Sequence, residues 1–459
     1  MKNPILLFHQ SLIFIIILLS WNHQNIQAQT SWNYVGIPGF SDGAAAYSRM
    51  ALDPGGRPYV VYQDQTQNLK GTVKKFDGTN WVTVGNAGFT PGQSYYFCIA
   101  VDPSGTPYVL FTDYSNGQRA TVMKFNGSSW VNVGSGVVSP GMIYCFSLAI
   151  SKNGIPYVAY ERFGDLYSIT VLKFDGSTWV TVGTPGLLDP LTSFISMALD
   201  ANGNPYLACT DASNNNKAMV LKCSDTTWTN LGNTEFSDST AIFTTIALDG
   251  SNTPYVAYQD EAYGSKATVM KYTGTSWVVV GTKGISADSV NFLNQALDPM
   301  GNPYVIFMDY GNNDKATVMT YNGSSWTSVG SPGLSAGTAS STCMQIDGGG
   351  KIYASYVDGA YNNKATVMSY QVVLGISPAD SHDHLSIYPN PAKSFINVDL
   401  TGYTLGGRLL ITDIEGRNLI QKTTSDYSIR INLGDIPAGV YFLQYKTGDG
   451  NVIREFSHF

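Results

Sequence analysis

Histidine is missing from most of this chain. Only His9, His23, His382, His384 and His458 occur among its 459 residues, and none lies between 31 and 370. That stretch therefore holds no Ser-His-Asp triad, no histidine metal site and no imidazole acid or base. Glutamate is nearly missing from it too, with Glu161, Glu235 and Glu261 alone. A formal net charge of −7 and the lack of a basic patch exclude a surface built to hold nucleic acid. The cysteines (Cys98, Cys145, Cys209, Cys223 and Cys343) are scattered, and no pair has metal-ligand spacing. They read as small buried apolar groups. No catalytic residue, metal or cofactor is expected from these residue types. Helical periodicity is also lacking, since no segment repeats apolar residues at i, i+3, i+4 and i+7 over three turns. The one long apolar run, 12–19, follows Lys2 and precedes a polar stretch that reaches Ala28. It is too short to span a bilayer, and 1–28 reads as a secretory signal peptide. No transmembrane segment is left in the mature chain.

Against these absences stands one strict regularity. Trp32, Trp81, Trp130, Trp179, Trp228, Trp277 and Trp326 follow one another at intervals of 49 residues. Each copy offers four short strands, about 48–53, 58–63, 70–76 and 81–85 in the first, separated by turns such as Asp53-Pro54-Gly55-Gly56 and Asp77-Gly78. Tyr recurs in every copy from Tyr59 to Tyr353, and a Gly closes every Trp strand from Gly36 to Gly330. Four strands per unit at this period predict an all-β fold, a seven-bladed β-propeller spanning 29–371. The first Trp strand precedes any complete unit, and the last unit lacks one. The N-terminal strand is therefore expected to close the ring and remove two open edges.

A linker, 372–384, leads to a different pattern at 385–459. It begins with Tyr388-Pro389-Asn390-Pro391, continues through Ile411-Thr412-Asp413 to Glu415-Gly416, and includes LGDIPAGVYFLQY around Gly439. Alternating apolar residues between turn signals predict a small β-sandwich of about seven strands. Together Tyr388, Pro389, Asn390, Pro391, Asp413, Gly416 and Gly439 resemble the type A C-terminal sorting domain of the Bacteroidetes type IX secretion system. That resemblance implies export across the outer membrane with the type IX machinery as partner. It also implies a secreted or surface-attached, extracellular protein.

Function within the ring is less explicit. Repeated pairs, Asp64 with Lys70 through Asp358 with Lys364, are expected to meet as cross-strand ion pairs. Aromatics start most inner strands at Tyr47, Tyr96, Phe194, Phe243 and Phe292, with Cys145 and Ser341 breaking the series. Such residues wedge between blades or stack on sugar rings. Off-pattern residues carry the specificity argument. Glu161, Arg162 and Asp165 share the third blade's second turn, where the Asp–Lys pair is lost. Arg49 stands where the other copies hold Cys, Ser, Thr or Asn. With Tyr47 and Tyr96, these are the candidate ligand-binding residues. They suit an exported binding module for a carbohydrate or a surface protein. The competing readings are a polysaccharide-acting hydrolase or lyase using ring carboxylates, and a spacer with no small ligand.

Overall fold

The computed structural model describes residues 31–162, 169–183, 194–232, 235–371 and 385–459, apart from 402, 404, 415 and 448–450. The signal segment 1–28 and the linker 372–384 lie outside the described residues.

The repeat folds as seven four-stranded blades around a central channel. In the first, Ala45–Leu52, Pro58–Asp64, Lys70–Phe76 and Trp81–Thr83 run from the axis outward, each antiparallel to the next. The second strand is buried along its whole length, because both its faces meet neighbouring blades. In the turn between the first two strands, Asp53 accepts the Gly55 and Arg57 backbone N–H groups, both at 2.9 Å. Ser151, which replaces this Asp in the third blade, accepts the Ile155 N–H at 3.1 Å. A short acceptor side chain is what the turn requires.

Each tryptophan fastens its blade to the one before. Trp81 Nε1 donates to the Val35 carbonyl at 2.7 Å, and Trp130 Nε1 to Val84 at 2.8 Å. The same bond recurs from Trp179, Trp228, Trp277 and Trp326. The glycine beside each accepting carbonyl has a physical reason. Gly85 holds φ +71°, and a Cβ there would stand 3.1 Å from Trp130 Cδ1 and 3.0 Å from Phe125. Only glycine gives both the left-handed backbone and the space for the indole.

The ring closes as expected. Asn33–Tyr34 pairs with Lys364–Gln371, Asn33 opposite Ser369, and completes the last blade. Trp32 Nε1 donates to the Val329 carbonyl at 2.8 Å, which is the seventh member of the tryptophan series.

Two features depart from the pattern reading. The outer strand of blade two and the inner strand of blade three are one continuous strand, Trp130–Ile150, so these blades share a seven-stranded sheet. The connector within it keeps pairing with the third strand of blade two, Thr121 opposite Val137 and Arg119 opposite Met142, and buries Val138 and Ile143. Second, the chain is not free of helix. Six one-turn 3-10 helices, such as Gln65–Gln67 and Tyr114–Asn116, form the second turns of six blades, that of the third lying outside the described residues.

The C-terminal residues form two further sheets, one of three strands and one of four, around their own apolar core. Gly439–Lys446 is central, pairing with Arg408–Asp413 on one side and Asn451–His458 on the other. Asn390 Oδ1 accepts the Ser457 N–H at 2.9 Å, which ties the Tyr388-Pro389-Asn390-Pro391 segment to the last strand. Asp413 accepts the Arg417 N–H at 2.9 Å, and Gly416 takes φ +79° in that turn.

Candidate functional site

The outer-to-inner connectors and the second turns lie on one face of the ring, called here the connector face. Exposed large apolar side chains of the described propeller residues gather there. Tyr96, Tyr114, Tyr263 and Tyr310 are all more than 40% exposed, and Ile37 lies on a connector. Tyr34 reaches Tyr361 of a second turn, ring centroids 6.4 Å apart. Apolar surface left on one face is the usual mark of a contact site.

At the centre of this face the inner strands do something unusual. Tyr47, Tyr96, Phe194, Phe243 and Phe292 adopt left-handed backbone angles, φ between 51° and 57°, and Ser341 matches them at 53°. Six inner strands carry a register shift at this point, for example between Ala46 and Arg49, so one extra residue bulges out. A large L-residue in this conformation costs on the order of 1 kcal/mol, and a bulge re-aims its side chain. The aromatics thereby form a collar around the channel mouth. Tyr47 and Tyr96 lie 4.9 Å apart, Phe194 and Phe243 5.2 Å, Phe243 and Phe292 5.9 Å between centroids. Thr244 and Thr342 hydroxyls donate to the Phe194 and Phe292 carbonyls of the preceding blade, which holds the bulges in register. The collar is open at Cys145 and Ser341.

Tyr95 and Tyr114 extend the collar over the first two blades. Tyr95 lies 4.5 Å from Tyr114 and 5.6 Å from Tyr47. Pattern reading missed both. The available signal was the aromatic following Asp113 at an exposed turn.

Beyond the collar the inner strands are tied edge to edge. Ser147 Oγ accepts the Met197 N–H at 3.1 Å, Ser196 Oγ the Ile246 N–H at 3.2 Å, and Asn294 Oδ1 the Met344 N–H at 3.0 Å. Arg49 occupies the same position on blade one and has no acceptor to offer. It is exposed between buried Ser48 and Met50, and its guanidinium donates only to the Ser48 carbonyl, at 2.9 Å. Its charge reaches Cys98 on blade two and Cys343 on blade seven, favouring their thiolates, although burial still pushes the Cys98 thiol up to about 11. A cation that faces both neighbouring inner strands and remains exposed sits in the channel. At the opposite end, Ala51, Asp53, Ile99, Leu148, Gln345 and Asp347 line a cavity of about 480 Å³.

Of the third-blade candidates, Asp165 lies outside the described residues. Arg162 ends the strand Pro156–Arg162, with its backbone opposite Ile143 across a bulge. Glu161 is 7% exposed, and burial pushes its carboxyl up to about 7. Cys145 and Cys209 lie within its field. Below about pH 4.5 the folded and unfolded states are both protonated. Between 4.5 and 7 the folded state keeps a proton that the unfolded chain has released, so stability falls as pH rises through this window and stays low above it. Glu161→Gln is therefore expected to match the parent near pH 4 and to exceed it at pH 8 by about 1–3 kcal/mol. Thermal melts of both proteins at the two pH values check this. A parent that is equally stable relative to the variant at both would overturn it.

The expected ion pairs are not formed. Asp64 stands opposite Lys70 in register, yet accepts Thr66 N–H at 3.0 Å, Thr66 Oγ1 at 2.7 Å and Thr72 Oγ1 at 2.9 Å. Asp113 and Asp309 likewise cap their 3-10 turns. These carboxylates are buried, and nearby N–H and hydroxyl donors satisfy them without desolvating a lysine. In the third blade Arg162 stands at the capping position, and an arginine side chain offers no acceptor.

Comparison with known families decides the C-terminal part. Residues 386–457 match the secretion system C-terminal sorting domain family. They are a type IX secretion sorting domain. Behind this sorting domain the protein travels the type IX route to the cell exterior and surface. No curated protein matches the chain. Among solved structures, PorZ, a surface component of the type-IX secretion system of Porphyromonas gingivalis, is similar at 17% identity and TM-score 0.47. That similarity covers 91% of this chain but 60% of PorZ's length. The fucose-specific lectin of Aleuria aurantia is 16% identical, TM-score 0.43, over 63% of this chain and 99% of the lectin. The α-L-arabinanase of Penicillium chrysogenum is 13% identical, TM-score 0.43, over 74% and 98%.

Proposed function

We propose that this exported propeller is a binding module that takes carbohydrate at the channel mouth on its connector face. The carrying observation is the collar. The inner strands repeatedly begin with a costly left-handed residue, and that residue is an aromatic in five of them. Rings presented edge and face at a rim suit the apolar faces of sugars, while tyrosine hydroxyls serve their polar edges. Tyr96 and Tyr114 keep 43% of their surface exposed for such contact. The sorting domain delivers this surface to the outside of the cell, where polysaccharide and other cell-surface molecules are its neighbours.

One observation favours a second reading, a polysaccharide-acting enzyme. A carboxyl held near pH 7, as Glu161 is, has the protonation behaviour of a general acid. The two readings separate on a glycan array probed with the full chain, followed by incubation with the glycans retained. Binding without product is expected. Cleavage of a bound glycan that is lost in Glu161→Gln would replace the binding reading with the enzymatic one. An array without signal, together with capture of surface protein from intact cells, would move the ligand class to protein.

A further inference from the structure

The collar has an occupant of a particular charge written into it. Six blades place a small uncharged residue two positions beyond the collar residue, and five of these visibly spend that side chain on tying one inner strand to the next, Ser147, Ser196 and Asn294 as acceptors and Cys98 and Cys343 as weak donors. Blade one places Arg49 there instead. The substitution forgoes the tie and puts a guanidinium in the channel. The ion pairs of the described residues include Arg57 with Asp53, Lys74 with Asp42, Lys283 with Asp238 and Arg417 with Asp413. Arg49 is in none of them, although the chain carries seven more acidic than basic groups. A planar guanidinium with free N–H groups is a bidentate receptor for carboxylate or sulfate.

Access and packing agree with this. Ser341, one of the two small residues in the collar, precedes Cys343 on the strand that Arg49's charge reaches, so the aromatic wall is open beside the cation. On the other side stand Tyr47, two residues from Arg49 on the same strand, and Tyr96, whose rings meet at 4.9 Å and 60°. The cation therefore stands two residues along its strand from an aromatic pair and beside a strand whose collar position is small.

We propose that the connector-face mouth of the channel is a subsite for an acidic saccharide, a uronate or sulfated sugar, whose anionic group pairs with Arg49 while its ring packs on Tyr47 and Tyr96. An acidic peptide would satisfy the arginine equally well. The paired tyrosines decide for a sugar, because they offer broad faces and hydroxyls where a carboxylate side chain would use neither. This deepens, and rests on, the carbohydrate reading above.

The test uses the full chain on an array holding uronate oligosaccharides, their methyl esters, sulfated oligosaccharides, neutral glycans and an oligoglutamate peptide. The expected result is signal on uronate or sulfated sugars, at least about tenfold weaker in Arg49→Gln and in Tyr96→Ala. Methyl esterification should remove the uronate signal. Raising salt should weaken wild-type binding, a readout that holds even if a variant folds poorly. Uronate and sulfate arms distinguish the two anionic groups. Neutral glycans bound equally by wild type and Arg49→Gln would overturn the anionic subsite and leave the carbohydrate reading standing. Oligoglutamate bound as well as any sugar would assign the site to a protein ligand. No binding to any probe would overturn both.

Discussion

Deleting residues 31–40 is expected to destabilise the ring by at least roughly 5 kcal/mol, the cost of losing one buried aromatic and its bonds. The segment is short, but its attachments are many. Asn33–Tyr34 supplies the outer strand of the last blade. The Val35 N–H donates to the Val367 carbonyl and the Phe40 N–H to Ala365, both at 2.9 Å. Val35 and Phe40 are buried, and Phe40 stacks on Trp81 at 3.9 Å. Without the segment, Lys364–Gln371 becomes an open edge, Trp81 loses its carbonyl acceptor, and an apolar blade face meets water. Thermal and urea unfolding of the deletion variant measure the effect. An unchanged midpoint would defeat the closure model.

The second large effect concerns export. A chain truncated after residue 376 is expected to fold its propeller and fail to appear outside the cell. The sorting domain is a separate pair of sheets, and its core cluster, from Leu385 to Phe456, contains no propeller residue. Losing it removes the address and leaves the repeat core whole. Fractionation of cells expressing both forms, with circular dichroism of the truncated protein, provides the measurement. Normal secretion of the truncated chain would sink the assignment, and an unfolded one would show that the ring depends on the domain behind it.

The architecture was legible because its determinants are repeated. One Trp and one Gly per copy encode a single bond, indole to carbonyl, and seven copies leave no freedom in phase. Arg49 was legible for the converse reason, as a break in a series of small residues. What escaped the sequence was direction. Asp64 and Lys70 do face each other in register, but the carboxylate turns toward its own 3-10 turn, a choice set by local donors that a strand pattern does not display. Tyr47 was placed at the start of the inner strand. Its φ of 52° was not foreseen, since nothing in an aromatic residue announces a left-handed backbone. The shared strand Trp130–Ile150 was hidden by Gly134, Gly136 and Gly141, which read as loop formers yet sit within continuous pairing.

The closing strand also sets an order of events. Gly39 N–H donates to Thr366 Oγ1 across 327 positions of sequence, and Trp32 reaches Val329 across 297. Until the seventh repeat has been synthesised, the N-terminal strand has no partner and blade one has only one neighbour. Contacts of such long range form late and slowly, because loop-closure entropy opposes them before they contribute anything. The nascent chain therefore stays an open arc for most of its synthesis. The strands within each blade are neighbours in sequence and need no such wait, so the ring seals last.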